Sequence, residues 1–161
     1  ELKKIANEIE KLFISLPKGH MVTELDIEEN IGISREFNVF ELQRAIGSKD
    51  ILKVNRIIRY FASDPKRFPL LMVLPVLFNY FTNLMTIYAL KDKSERSVAS
   101  ALSVHPFFVG EYMTAIRKYP YAKLRSIIGY LREYDLKAKG VNNISTSDGD
   151  LLKEMMFKIL H

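Results

Sequence analysis

Residues 68–90 form the longest stretch of the chain without a charged side chain, with Lys66 and Arg67 just before it and Lys91 just after it. A segment that is apolar on nearly every side is typical of a central core helix or of a membrane span. Pro75 removes one helical hydrogen bond, so we expect a kink or a late helix start there. A helix interrupted in this way would make a poor single span, so we interpret the stretch as a core helix that other helices wrap on most sides.

A narrow polar stripe crosses this apolar segment. Asn79, Thr82, Asn83 and Thr86 follow one another at spacings of three, one and three residues, which places them along one side of a helix. Two interpretations remain open: the stripe is the one solvated edge of the helix, or it is a surface offered to a neighbouring subunit. Asn79 and Asn83 are therefore candidate subunit-interface residues.

The rest of the chain alternates amphipathic patterns of helical period with capping residues. The patterns predict helices over residues 1–16, 24–31, 39–47, 51–62, 95–102, 107–119 and 121–139, and a last one that follows Ser147. No sustained period-two alternation and no hairpin turn signal interrupts them. The sequence therefore predicts an all-α fold, a bundle of about seven helices preceded by a short helical segment.

Capping residues set most of the predicted boundaries. Asn38, three residues before Glu41, predicts one helix start. Either Ser48 or Asp50 caps the next helix. Pro106 suits the first position of the helix over residues 107–119, and Gly140 suits the end of the helix over residues 121–139.

The composition excludes several kinds of catalytic and metal-binding site. The 161 residues include no cysteine, which excludes thiolate catalysis and cysteine-based zinc sites. The three histidines are far apart, and no glycine-rich phosphate loop or nucleophile-elbow motif is present. We therefore expect no catalytic residue, no metal and no cofactor in this chain.

Asp135 is the one charged residue that falls within an apolar helical stripe, that of residues 121–139. A carboxylate there is unfavourable unless it is paired. One interpretation is an ion pair with Lys139, one turn further on. The other is a polar contact at a subunit interface, so both residues are candidate interface positions.

Two segments are locally basic within a chain whose net charge is +5. Arg56 and Arg59 represent the first, and Arg125 and Arg132 the second, as a candidate basic face. Charged helix faces are usually solvated, but an acidic partner subunit or a nucleic-acid backbone would also fit. No recognised DNA-reading motif accompanies these residues.

Four segments carry a family resemblance: SREFNVFELQRAIGSKD at 34–50, SVHPFFVGEY at 103–112, YDLKAKGV at 134–141 and SDGDLLKEMMFKIL at 147–160. In this order they resemble the delta subunit of bacterial DNA polymerase III in its Bacteroidetes-like form. The resemblance covers essentially the whole chain. Asp135, Lys139 and Gly140 match a D-x-x-x-K-G pattern of that family.

The resemblance implies a subunit of the clamp loader, which places the sliding clamp on primed DNA. Residues 1–36 would end the helical second domain, and residues 37–161 would form the C-terminal collar domain. Because the pattern begins inside a helix, we expect a longer protein whose missing N-terminal domain contacts the clamp.

The implied partners are gamma/tau-like and delta-prime-like subunits, in the cytoplasm, with DNA touched indirectly or weakly. The chain itself would be non-catalytic, although the holoenzyme is a DNA-directed DNA polymerase. The alternative is a basic all-α module that binds nucleic acid directly.

Overall fold

A computed structural model describes residues 37–143 and 145–161, together with residues 6–7, 9–10, 13–14, 16–17 and 19–23. The chain divides into two compact units, Glu1–Phe37 and Asn38–His161. In the first unit, residues 6–7, 9–10 and 13–14 are helical, within the helix predicted over residues 1–16. The remainder of that prediction and the whole helix predicted over residues 24–31 lie outside the described residues.

The described residues of the second unit form seven α-helices and one short 3-10 helix, with no strand among them. In chain order these are α1 (Val39–Gly47), α2 (Ile51–Ser63), α3 (Leu70–Ala89), α4 (Glu95–Leu102), the 3-10 helix (Pro106–Phe108), α5 (Val109–Lys118), α6 (Tyr121–Ala138) and α7 (Asp148–Leu160). The prediction of an all-α bundle of about seven helices is confirmed.

Local side-chain caps start the first two helices. The Asn38 side chain accepts the Glu41 backbone N–H at 2.9 Å, as predicted. The Asp50 carboxylate accepts the Lys53 backbone N–H at 3.0 Å, so Asp50 rather than Ser48 caps α2. Ser48 instead ends α1, where its own N–H bonds back to that helix. An N-cap oxygen reaches the N–H three residues on, and only Asp50 stands at that distance from the first turn of α2.

Helix α3 runs through Pro75 from a start at Leu70, so the late start considered at Pro75 is wrong. Pro75 costs the helix one hydrogen bond. Leu70, Val73 and Leu74, in the turn before Pro75, are buried in the core. Their burial offsets the lost hydrogen bond.

The N-terminus of α3 has an unusual cap. Pro69 offers no side-chain hydrogen bond to the first turn. Instead, the Leu70 backbone N–H donates to Oδ2 of Asp148 at 3.0 Å, and Asp148 is the first residue of α7. A carboxylate at this position also interacts favourably with the helix dipole. The last helix thus caps the central one.

Helix α3 is the centre of the bundle, since it contacts α1, α4, α5, α6 and α7, most extensively α6. Its inward face, formed by Val73, Leu77, Phe81, Leu84 and Ile87, is fully buried. Helix α7 packs against both α2 and α6 and so extends the same core. By length and composition α3 is the one described helix that could cross a membrane, but these contacts support its interpretation as a core helix.

The helix predicted over residues 107–119 divides into two pieces. Residues Pro106–Phe108 form a 3-10 turn in which the His105 carbonyl accepts the Phe108 N–H, and α5 follows from Val109. Tyr119 is extended, with φ −120° and ψ 90°, because the ring of Pro120 disfavours a helical conformation in the residue before it.

Close backbone approach joins α7 to α2. A Cβ added to Gly149 would lie 2.8 Å from the Cβ and 3.1 Å from the Cα of Ala62, so only glycine fits there. At the preceding turn, Gly140 has φ +87° and follows the last residues of α6, as predicted for a helix C-terminus.

Candidate interaction surfaces

The outward face of α3 is exposed although much of it is apolar. Leu71, Met72 and Phe78 are 43%, 65% and 47% exposed. The outward face also includes Pro75, Asn79 and Thr82, which are exposed as well. The expectation that other helices wrap α3 on most sides is therefore wrong on this side, because the described helices dock on the inward face instead.

A groove of about 750 Å³ lies between α3, α1 and the segment from α4 to α5. Its apolar lining includes Phe40 from α1, Val76 from α3, Leu102 at the end of α4, and Phe108 from the 3-10 helix that follows. Phe40 is 63% exposed, so its ring stands out from the surface beside the groove. The groove and the outward face together offer large side chains to a partner, as the cores of protein interfaces do.

Asn79 and Asn83, the candidate interface residues of the polar stripe, both line this groove. Asn79 is exposed, and the Asn83 amide donates weakly to the Tyr112 hydroxyl at 3.5 Å. Thr86 donates to the Thr82 carbonyl within the helix. The stripe is solvated in the isolated chain, and its role at a subunit interface stays a prediction.

Asp135 is paired in the way that one interpretation predicts. Its Oδ2 lies 2.6 Å from Nζ of Lys139, and the two side chains are 38% and 55% exposed. An exposed pair at this spacing contributes little to stability, on the order of 0.3–0.5 kcal/mol. A subunit contact through Asp135 or Lys139 remains a prediction.

The predicted basic face is distributed over two helices that both pack on α7. Arg56 and Arg59 are exposed on α2, and Arg125 and Arg132 are exposed on α6. Their binding role stays a prediction as well.

The two basic segments of the sequence also contain three lysines that the fold brings together where α5 turns into α6, which the sequence did not predict. Nζ of Lys49 lies 5.1 Å from the ring centroid of Tyr119. Lys118 donates to the Ser48 carbonyl, and Nζ of Lys123 donates to the Lys158 carbonyl at 2.9 Å. These three residues, Lys49, Lys118 and Lys123, are called the lysine cluster below. One feature of the sequence could have indicated this cluster: no aspartate or glutamate occurs from residue 112 to residue 132.

The Tyr119 side chain beneath the lysine cluster is held in place by burial and hydrogen bonds. Its side chain is fully buried, and its hydroxyl donates to the Ile46 carbonyl at 2.8 Å. The Tyr88 hydroxyl lies 3.0 Å from the Tyr119 carbonyl and 2.8 Å from the Ile116 carbonyl, to which it donates. Burial raises the pKa of Tyr119 well above its ordinary value, so the hydroxyl stays protonated and keeps donating.

Charged side chains also join α6 to α7. Lys137 lies 2.8 Å from Glu133, and Lys158 lies 3.5 Å from Glu133 and from Glu154. The Lys137 and Lys158 ammonium groups also lie 4.7 Å and 5.1 Å from the ring centroid of Tyr134. The hydrogen bond from Lys137 lowers the pKa of Glu133. Partial burial acts in the opposite direction, and the positive charge of Lys158 lowers this pKa further.

The histidines lie apart from one another. His105 accepts the Phe107 N–H with Nδ1 at 3.2 Å, and the His161 ring packs 4.7 Å from that of Phe157. His20 is exposed in the first unit. Within the described part of the chain, no three histidine, aspartate or glutamate side chains are grouped as metal ligands.

The fold places this chain in the class of all-α domains that are built around a single apolar helix. Within that class the chain belongs to the DNA polymerase III delta subunit family, because the model of this family's C-terminal domain matches residues 36–157. The resemblance stated from the sequence is confirmed at this level.

A solved structure shares the fold. The chain matches the Bacillus subtilis DNA clamp loader delta protein with a TM-score of 0.60 and 24% sequence identity. The match covers 99% of this chain and 46% of the other, so the chain spans about half the length of that protein. Among curated proteins, no match was found.

Proposed function

We propose that this chain is the part of a clamp-loader delta subunit that binds the other subunits of the DNA polymerase III clamp loader. Membership of the delta-subunit family supports this role. The observation that carries it is the exposed apolar outward face of α3, together with the neighbouring aromatic groove. Large apolar side chains exposed together on one side of a protein commonly mark a protein–protein interaction site.

The proposed partners are gamma/tau-like and delta-prime-like subunits, whose helical domains would meet this one. Contact with the sliding clamp would be made by a part of the delta subunit outside this chain. The role is that of a non-catalytic scaffold within an assembly that has DNA-directed DNA polymerase activity, in the cytoplasm.

The test is assembly with the gamma/tau-like and delta-prime-like subunits, measured by gel filtration at micromolar concentration. We expect the wild-type chain to elute with them. The Met72→Lys/Phe78→Lys double variant places two charges on exposed positions of the outward face, so it should keep its helical circular dichroism and elute separately.

A matched control carries the same two charges elsewhere. Leu52 on α2 and Phe157 on α7 are 76% and 65% exposed, and neither lies on α3. The Leu52→Lys/Phe157→Lys variant should assemble like the wild type. Loss of assembly in this control alone would move the interface to α2 and α7, and no assembly of a folded wild-type chain would contradict the proposed function.

A further inference from the structure

A second groove, of about 280 Å³, runs along the contact between α2 and α7 and is called the α2–α7 groove below. Gly149, near the start of α7, packs on Ala62, near the end of α2. Ile51, the first residue of α2, and Leu160, the last residue of α7, both line the groove. The two helices therefore run antiparallel. The groove is smaller than the roughly 300–1,000 Å³ pockets that hold small molecules, so it suits the side chains of a partner.

One end of the α2–α7 groove is apolar. Ile51 and Phe157 stand at its rim and are 41% and 65% exposed. Met156 and Leu160 line it as buried residues. The His161 ring lies 4.7 Å from the Phe157 ring and packs against it. This end therefore offers an aliphatic and aromatic socket for one large apolar side chain.

The other end of the α2–α7 groove is basic. Arg59, two turns after Ile51 on α2, and Lys153, one turn before Phe157 on α7, line it and are exposed. No aspartate or glutamate is among the described residues that line the groove. Lys153 lies 3.1 Å from Asp150 in an exposed pair, whereas Arg59 forms no ion pair within the described part of the chain. The groove therefore carries positive charge that its own lining does not balance.

The surrounding helices keep this imbalance. Residues 51–63, which form α2, include three basic residues and no acidic one. On α7, Glu154 pairs with Lys158 at 3.5 Å and lies 4.0 Å from Lys137 of α6, on the side away from α2. A partner with acidic side chains would thus complement the charge of the groove.

We propose that the α2–α7 groove binds an acidic amphipathic helix of a partner protein other than the clamp-loader subunits. An apolar side chain of that helix would enter beside Ile51 and Phe157, and a carboxylate would meet Arg59 and Lys153. Arg59 follows Ile51 by eight residues, about 12 Å along a helix, so the apolar anchor and the acid would stand about two turns apart.

The apolar end favours a protein over other polyanions. A phosphate backbone would meet the two basic residues and leave the aliphatic lining without a partner, whereas an amphipathic helix covers both. The groove lies on α2 and α7, outside the outward face of α3, so this inference does not depend on the proposed function.

The experiment measures binding of the whole chain to a fluorescent amphipathic peptide of about 18 residues, long enough to form a helix, by anisotropy. The peptide carries leucine along one side and glutamate beside it, and a second peptide has lysine in place of each glutamate. The wild type should bind the glutamate peptide at least about tenfold more tightly than the lysine peptide. Phe157→Ala should weaken that binding at least about tenfold, and Arg59→Glu/Lys153→Glu should reverse the preference between the two peptides.

Two control variants change the same kinds of side chain elsewhere. Phe107→Ala truncates a ring that is 77% exposed outside the groove, and Lys66→Glu/Arg96→Glu reverses two exposed charges. Both should bind the glutamate peptide like the wild type, with circular dichroism melting curves to show that every variant is folded.

Three results would overturn the proposal. The first is absent or equal binding of the two peptides by the wild type, and the second is unchanged binding by Phe157→Ala. The third is failure of Phe157→Ala to elute with the clamp-loader subunits, since the groove would then belong to the subunit interface. Loss of assembly in the α3 variant alone would leave the peptide binding unchanged.

Discussion

Both faces of helix α3 carry large apolar side chains, but their surroundings are opposite. Leu77 and Phe81 on the inward face are fully buried, whereas Met72 and Phe78 on the outward face are 65% and 47% exposed. The inward face is covered mainly by α6. The apolar composition of a helix therefore indicates how much of its surface needs covering, whereas the helices that dock on it decide which part is covered within the chain.

Truncating one aromatic ring on each face of α3 tests this difference most directly. Phe81→Ala should lower the free energy of unfolding by about 3–5 kcal/mol, because it leaves a cavity in a fully buried site. Phe78→Ala should cost less than about 1 kcal/mol, because its site is already half solvated. Urea denaturation of both variants measures the difference, and equal losses would contradict the assignment of the two faces.

A second variant tests the inward face through a single hydroxyl. The Phe81 ring packs edge-on against Tyr119, whose hydroxyl donates to the Ile46 carbonyl at 2.8 Å. Tyr119→Phe removes that hydrogen bond and keeps the ring, so it should destabilise the fold by about 1–2 kcal/mol. Tyr121→Phe, at a 47% exposed ring, is the matched control and should change stability by less than about 0.5 kcal/mol in thermal or urea unfolding.

A pH series sharpens the contrast between buried and exposed contacts. The pKa of Glu133 is lowered in the folded chain, chiefly by the hydrogen bond from Lys137. This stabilisation is present above the ordinary pKa of glutamate and is lost as pH falls through the lowered pKa. Because the side chain is 42% exposed, the loss should be only about 0.2–1 kcal/mol. Denaturation of wild type and Glu133→Gln between about pH 6 and about pH 3 should show a smaller acid loss in the variant.

The smallest expected effect on stability concerns the polar part of the outward face. Asn79→Leu/Asn83→Leu removes one weak hydrogen bond to Tyr112, so the free energy of unfolding should change by less than about 0.5 kcal/mol per site. Reduced assembly with the partner subunits, measured by gel filtration, would place the stripe in the interface. Unchanged assembly would leave it as a solvated edge.

Helix starts were predictable because their causes are local. Asn38 and Ser147 each cap a helix through an N–H three residues further along the chain, so sequence spacing reveals them. The late start considered at Pro75 is wrong for a nonlocal reason: the burial that keeps the first turn of α3 in place depends on helices far away in sequence.

The candidate surfaces were harder to predict for the same reason. The exposure of Met72 and Phe78 depends on where the other helices dock, which periodicity does not specify. Lys118 meets the end of α1 through the Ser48 carbonyl, 70 residues away in sequence. Local charge density therefore placed Lys49 in one basic segment and Lys118 and Lys123 in the other, but did not show that the three residues come together. Asp135 was interpretable because its partner, Lys139, stands one turn away.

The cap that Asp148 provides for Leu70 has a consequence for local unfolding. It joins the first turns of α3 and α7 across 78 residues. If α7 detaches, the N–H of Leu70 loses its acceptor, and the start of the central helix can fray. We therefore expect the two segments to open as one cooperative unit, with the Leu70 amide exchanging its hydrogen for deuterium as slowly as the interior amides of α7.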